Sequence, residues 1–341
     1  MKTKLFRFSR FLIFLAIGLG LLYLAVKDVS MEDLVAKLKM ADTFWIAIAL
    51  FAALIGYLSR AYRWKLLIKP LNYHPSFWNT FFALMIGYTA NFAFPRIGEI
   101  TRCGTLKKSD KIPMDSLLGT VIIERAIDML VLLVVLVVIF FAKMDFFGQF
   151  LTQKVFVPIF DNIKSMLQVS VLNWIIILAV IVGAIFLIRY LNRRFSHNPV
   201  LRKLKKIYYG VISGLKTIAK MQDRWVFTFH TIIIWVMYFI MTYVLVFALP
   251  STSVLQPIDG LFLLVIGGLG MAAPVQGGIG AFHVITTAGL LLYDIPKTDA
   301  VAYSVISHES QAFFVILLGA ISFIMIFIRN RKNKLRQFKN L

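Results

Sequence analysis

A series of apolar blocks, each close to the length that a helix needs to cross a hydrocarbon core, runs from one end of this chain to the other. They are Phe11–Val26, Phe44–Ser59, Phe77–Pro95, Leu117–Ala142, Val171–Tyr190, Val226–Leu249, Ile258–Pro274, Gly277–Tyr293 and Val301–Ile328. A crossing takes about 20 residues of helix. Lipid offers no water to an open backbone, so every block is expected to be helical. No stretch is left over that could fold as a separate soluble domain of ordinary size. The expected fold class is all-α: a polytopic integral membrane protein with about six to eight transmembrane helices, residues 1–341 forming one membrane domain.

Composition agrees with this reading. Hydrophobic residues make up 60% of the chain and charged residues 16%, where soluble domains carry roughly 25% charged. A net charge of +21 would point to nucleic acid in a soluble protein. Here Lys and Arg cluster beside apolar blocks, where they set orientation and meet anionic headgroups. The expected partners are therefore an anionic membrane surface and a polar lipid, and no nucleic acid. Cys103 is the only cysteine, which excludes an internal disulfide and a thiolate metal site. The basic lead of Lys2, Lys4, Arg7 and Arg10 precedes an apolar run that ends at Lys27-Asp28-Val29-Ser30. That is a poor cleavage site, so the first block reads as an uncleaved helix.

The positive-inside rule places the basic N-terminus, the stretch from Arg189 to Arg224 and the tail 329–341 in the cytoplasm. A fourth basic segment, Arg96–Lys111, must also be inside, although the linker with Arg60, Arg63, Lys65 and Lys69 already lies there. Both hold only if Phe77–Pro95 enters from the cytoplasm, breaks near Pro95 and returns. By the same reasoning Ile258–Pro274 and Gly277–Tyr293 together enter and leave on the outer side. They meet at Pro274-Val275-Gln276-Gly277-Gly278-Ile279-Gly280, a sequence ill suited to a straight helix. Each half then reads as two spans, a broken hairpin and one span. The halves, 1–145 and 146–341, form an inverted repeat, and interrupted segments in corresponding positions of such halves point to a transport site near the midplane. Pro and Gly are also ordinary in membrane helices. Met31–Lys39 is expected to lie on the outer surface. Leu201, Leu204, Ile207, Tyr208, Val211, Leu215 and Ile218, among lysines, are expected to line an amphipathic helix on the cytoplasmic leaflet.

Ionisable residues inside a membrane need a partner or a wet cavity. Glu124 and Asp128 share a helix face, and Arg125 can pair with Asp128. They read either as a functional group or as an interfacial cluster that locks helices. Arg96, Glu99 and Arg102, spaced by three, line the helix after Pro95, and Gly98 lies between them. Planar guanidinium forks and free amides at a broken helix suit a lipid phosphate. Arg60 and Arg63, at the cytoplasmic end of the second block, read first as membrane anchors and otherwise as part of a phosphate-binding polar pathway with His283, His308 and Glu309. Gln276, Gly277, Gly278 and Gly280 offer close backbone approach to a ligand or simply a tight turn. His283, His308 and Glu309 form either a proton or headgroup path or a satisfied structural group. The five histidines lack metal-ligand spacing, and no Walker loop or nucleophile elbow is present, so no metal, cofactor or catalytic residue is expected.

Three motifs carry a resemblance: Asn91-Phe92-Ala93-Phe94-Pro95-Arg96-Ile97-Gly98-Glu99-Ile100-Thr101-Arg102, then Glu124-Arg125-Ala126-Ile127-Asp128, then Pro274 to Gly280. With Arg60-Ala61-Tyr62-Arg63-Trp64 upstream, the chain resembles the lysylphosphatidylglycerol synthase transmembrane-region family, the flippase-like domain proteins, over roughly Val29 to Ile328. In two-part members this region is the lipid-translocating half and an aminoacyltransferase follows. This chain resembles the stand-alone membrane version. The resemblance implies movement of a polar lipid between leaflets of a bacterial-type cytoplasmic (inner) membrane, with both termini cytoplasmic. Many relatives carry an acidic residue near the position of His283, a departure that bears on headgroup preference. On this reading Arg96, Arg102 and Arg125 contact the phosphate. Glu99, Glu124 and Asp128 hold the arginines, and the hairpins at Pro95 and Pro274 gate the path. The alternatives are an embedded lipid-modifying transferase and a non-transporting membrane scaffold or accessory subunit, and a homo-oligomer or a partner membrane protein is a further expected association.

Overall fold

In the computed structural model, residues 2–143 and 221–339 are described. The block Val171–Tyr190, the amphipathic stretch 201–218 and the boundary between the proposed halves lie outside them. Among the described residues there is no strand. The long helices are α1 (Lys2–Val26), α2 (Met31–Met40), α3 (Thr43–Ile68), α4 (Phe77–Ala93), α5 (Gly98–Asp110), α6 (Met114–Ala142), α7 (Arg224–Tyr243), α8 (Pro257–Ala272), α9 (Ala281–Leu291) and α10 (Lys297–Lys339). The protein is thus an all-α polytopic membrane protein. Among the described residues, four helical stretches are long and apolar enough to cross a bilayer: Thr43–Leu71, Met114–Ala142, Arg224–Ala248 and Lys297–Arg329. The pair Phe11–Val26 and Met31–Met40, bent by 88°, makes a fifth if taken together.

Local chemistry sets the helix ends. Ser30 Oγ accepts from the Asp33 N–H and Asp42 Oδ1 from the Phe44 N–H, capping α2 and α3. At α8, Pro257 opens the helix and Asp259 Oδ2 accepts from the Gln256 N–H at 2.8 Å. α2 turns off α1 and packs along α10, fixed by Lys37–Asp299 at 2.8 Å and Lys297–Asp28 at 2.6 Å.

Contacts at the helix ends sort into two faces. On one, Lys143 after α6 pairs with Asp259 of α8 and lies over the Tyr293 ring after α9. The start of α3 joins the segment after α7 there, through Asp42 N–H to the Ala248 carbonyl at 3.0 Å. On the other, Lys69 after α3 pairs with Asp223 before α7, and Arg329 of α10 donates to Ser76 before α4. Asp110 at the end of α5 accepts from Ser76 N–H and from Asn79 at the start of α4. α4 and α5 therefore begin and end on one face, and α8 and α9 on the opposite face.

None of these four helices has the length to cross. α5 has 13 residues and α9 has 11, at 1.5 Å per residue about 20 and 17 Å against a core of about 30 Å. Small residues let each pair fold back tightly. A Cβ at Gly98 would overlap the Gly87 carbonyl oxygen, and one at Gly270 would come within 2.6 Å of the Phe282 backbone. The Gly98 N–H, freed by the break, donates to Asn91 Oδ1 at 2.8 Å. The two breaks also meet one another. Arg96, in the left-handed region with φ 62°, donates to the Ala272 carbonyl at 3.0 Å, and Phe92 covers Gly277. Around them α4 packs on α10, α8 on α6, α3 on α7, and α1 on α9.

Two predictions follow from this packing. Gly98→Ala is expected to lower the unfolding temperature in detergent, an overlap of this kind costing about 1–3 kcal/mol. Gly104→Ala in the same helix meets no described atom within 4 Å and is expected to raise it, through about 0.5–1 kcal/mol of added stability. In a Cys103→Ala background, Lys108→Cys and Asp294→Cys are expected to react with a membrane-impermeant maleimide from opposite sides of sealed vesicles.

Candidate functional site

α3, with Arg60 and Arg63 one turn apart, faces Glu124 and Asp128 one turn apart on α6. Arg60 Nε lies 2.8 Å from Glu124 Oε1 and Arg60 Nη2 lies 2.5 Å from Asp128 Oδ2. Arg63 Nη2 reaches Asp128 Oδ1 at 2.7 Å and Glu124 Oε1 at 3.5 Å. From α5, Arg102 Nη2 donates to Glu124 Oε2 at 2.9 Å, and its Nε lies 2.9 Å from Glu99 Oε2. Arg125 in turn pairs with Glu99. Glu124 thus receives three guanidinium groups and is fully buried, as is Arg63, with Arg102 close behind. The Arg102 guanidinium stacks over Trp64 with its carbon 4.6 Å from the ring centroid, and Trp64 Nε1–H donates to Thr120. α7 joins through Tyr238, whose hydroxyl accepts from Arg60 Nη1 at 2.7 Å.

The sequence reading joined Glu124, Arg125 and Asp128 to the Arg96, Glu99, Arg102 face, and the structure brings all of these together except Arg96, which is exposed and caps α8 instead. Arg102 is buried and held from two sides. Arg60 and Arg63, which read first as anchors, are buried at the centre. Tyr57, three residues before Arg60 on the same face, was a visible sign that this face of α3 is polar inward. Tyr238 and Asn91 gave no such sign, because their partners are distant in sequence or lie across the helix break.

Beside the cluster lies a cavity of about 620 Å³ bounded by α3, α4, α6, α7, α8, α9, α10 and the second break. Arg60, Arg125 and Asp128 line it, with Tyr57, Tyr88 and Tyr238. Gly277 and His308 of the second break region also line it, and much of the remaining wall is apolar, including Met129, Leu132, Met241, Leu263 and Leu264. Pro95, Gly98, Pro274, Gly278 and Gly280 do not line it; they shape the two breaks. Gly277, Gly278 and Gly280 all have positive φ, at 56°, 82° and 78°, a backbone that other residues adopt at a cost.

The predicted trio His283, His308 and Glu309 is also assembled. His308 Nδ1 lies 2.9 Å from Glu309 Oε1, and His283 Nε2 lies 3.5 Å from the same oxygen. His308 Nε2 lies 2.9 Å from the Gly277 carbonyl, and the Gly280 N–H donates to His283 Nδ1 at 3.3 Å. The facing atoms fall within 4.8 Å of one another, close enough to surround an ion. However, a neutral His283 that accepts at Nδ1 carries its hydrogen on Nε2, the atom that would have to ligate. Within the trio His308 and Glu309 are hydrogen-bonded, and His283 faces the same carboxylate with its Nε2 in no hydrogen bond among the described residues.

Removing one partner of a buried ion pair strands the others, at about 3–5 kcal/mol. Glu124→Gln is therefore expected to lower folded yield and melting temperature sharply. Arg125→Ala, which breaks a half-exposed pair, is expected to change stability by about 0–1 kcal/mol. Thermal unfolding of the purified variants in one detergent checks the contrast.

Comparison with known proteins places the chain. The family described as lysylphosphatidylglycerol synthase TM region matches residues 11–319. The chain is similar to UPF0104 membrane protein MJ1595 of Methanocaldococcus jannaschii, 20% identical over 327 residues that cover 87% of this chain and 89% of that relative. No solved structure matches. With the match running through both broken hairpins and the whole ionic cluster, the chain belongs to the lysylphosphatidylglycerol synthase TM-region family of membrane proteins.

Proposed function

We propose that this protein moves a lipid with an anionic phosphate headgroup between the leaflets of a cytoplasmic-type membrane. The observation that carries the reading is the cavity. Its wall holds Arg60, Arg125 and Asp128 beside a broad apolar surface, and both hairpins contribute to it. A guanidinium fork matches a phosphate, and the apolar wall accommodates the first part of an acyl or isoprenoid chain. Arg125 is the best placed for a headgroup, because its side chain is 46% exposed and, among the described residues, pairs with Glu99 alone. Arg60 lines the same space, its three nitrogens engaged by Glu124, Tyr238 and Asp128. Arg63, Arg102, Glu99 and Glu124 act by holding these two in place.

In this reading the two hairpins belong to inverted halves. Exchanging α3 with α7, α4 with α8, α5 with α9 and α6 with α10 turns the α4–α10 contact into the α8–α6 contact and the α3–α4 contact into the α7–α8 contact, and all four occur. The face carrying Lys65, Lys69, Lys107, Lys108, Arg329 and Arg331 is the cytoplasmic one, which also puts the C-terminal tail inside. The energy of moving a headgroup falls where polar partners line its route at mid-depth.

Purified protein reconstituted into vesicles is expected to accelerate leaflet exchange of headgroup-labelled phosphatidylglycerol. Arg125→Ala is expected to lower the rate by tenfold or more, about the worth of one charge-assisted bond to phosphate, while the protein stays folded. Equal exchange in empty vesicles and in vesicles with wild-type protein removes the proposal. Full activity of Arg125→Ala removes its role. New lipid products in the same vesicles favour a lipid-modifying transferase instead.

A further inference from the structure

The trio at the second break faces a proton-counting problem that its geometry answers. If His308 Nε2–H donates to the Gly277 carbonyl, as their 2.9 Å separation requires, the neutral ring has its lone pair on Nδ1. That lone pair points at Glu309 Oε1, 2.9 Å away. A neutral imidazole and an ionised carboxylate would then set acceptor against acceptor. In the other neutral tautomer Nδ1–H satisfies Glu309 and bare Nε2 faces the Gly277 carbonyl instead, so both contacts are hydrogen bonds only when the pair holds one additional proton, on the imidazole or on the carboxyl oxygen. His283 reinforces the arrangement. With its Nδ1 accepting from Gly280, it presents Nε2–H toward the same Glu309 oxygen at 3.5 Å.

Among the described residues, other charged groups do not meet this need. The part of α1 that packs here, Phe11–Leu22, has no ionisable residue, and neither does α8 beyond Asp259 nor α9 apart from His283. α4 contributes no charge, and its titratable Tyr88 lies on the cavity wall. On α10 the remaining charges sit near the two ends. Arg96 is engaged with Ala272, and Arg60, Arg125 and Asp128 belong to the ionic cluster. The trio also joins two environments. The Glu309 side chain is 53% exposed, while those of His283 and His308 are 1% and 2% exposed, and His308 lines the cavity.

We propose that Glu309, His308 and His283 bind one exchangeable proton and pass it between the exposed face of α10 and the cavity, so that lipid movement is coupled to proton movement. This rests on the lipid-translocation reading above. A proton arriving from the Glu309 side sits on its carboxyl oxygen and transfers to His308 Nδ1, giving an imidazolium that donates to both Glu309 and Gly277. Its departure from Nε2 into the cavity leaves Nδ1–H on Glu309 and two facing acceptors, bare Nε2 and the Gly277 carbonyl, which repel. Because the His308 ring is held by the Gly277 carbonyl, that repulsion acts on the break of the second hairpin. Gly277 and Gly280, at positive φ, are the hinge on which it would act.

The test uses full-length protein in phosphatidylcholine vesicles with labelled phosphatidylglycerol, the membrane potential clamped with potassium and valinomycin. A one-unit pH gradient is expected to shift the steady-state leaflet ratio of the label, by up to about tenfold per coupled proton, relative to protein-free vesicles. The shift is expected to vanish in Glu309→Gln and in His308→Asn. Infrared difference spectra of the protein without lipid label are expected to show a carboxyl band that titrates and is lost in Glu309→Gln. Lipid exchange with no gradient-driven shift in wild type overturns the coupling and leaves the lipid function standing. A shift that survives in both variants overturns the assignment to these residues. A titrating Glu309 band in a protein that exchanges no lipid keeps the proton site and removes the function on which its coupling rests.

Discussion

One buried carboxylate organises the first hairpin. Glu124 accepts from arginines of α3 and α5 while belonging to α6, so three helices converge on two oxygen atoms. In a medium without water no side chain here can be satisfied alone, which makes the cluster cooperative. Asp128 and Glu99 are needed because the arginines outnumber what Glu124 can neutralise, and Tyr238 extends the network to α7. The positions of Arg60 and Arg125 on the cavity wall are a by-product of that mutual restraint. The site is preorganised because the fold could not otherwise bury its charges.

The hairpins follow from a second constraint. A helix break in lipid leaves amide and carbonyl groups without partners, and here protein supplies each partner found. Asn91 takes the Gly98 amide, Arg96 takes the Ala272 carbonyl, and His308 Nε2 meets the Gly277 carbonyl. Such irregular backbone is tolerated at membrane depth where it is enclosed by protein or borders a cavity, and the second break does both: Gln276, Gly277 and Gly278 are buried and Gly277 lines the cavity.

Much of this could be read in the sequence. Apolar length gave the helices, and Pro95-Arg96-Ile97-Gly98 and Pro274 to Gly280 gave the breaks, because proline and glycine interrupt helices for reasons local to the residue. Glu124 and Asp128 stood out because a carboxylate deep in an apolar block must have a reason to be there. Arg60 and Arg63 did not. An arginine near the end of an apolar block looks the same whether it snorkels to headgroups or turns inward to a carboxylate some sixty residues later. The Arg96 side chain was equally ambiguous: its fork suits a phosphate, and it also suits the carbonyl end of a helix that only the tertiary fold brings near. Pairings that depend on long-range packing leave no local trace.

Arg96 has a mechanical consequence. Its side chain, anchored at the bend of the first hairpin, grips the last turn of α8 at the bend of the second. Neither bend can retreat by more than the reach of one guanidinium unless it lets go or drags the other with it. The two hairpins, entering from opposite faces, are thereby geared like meshed teeth, and a push on either side of the bilayer is felt on both.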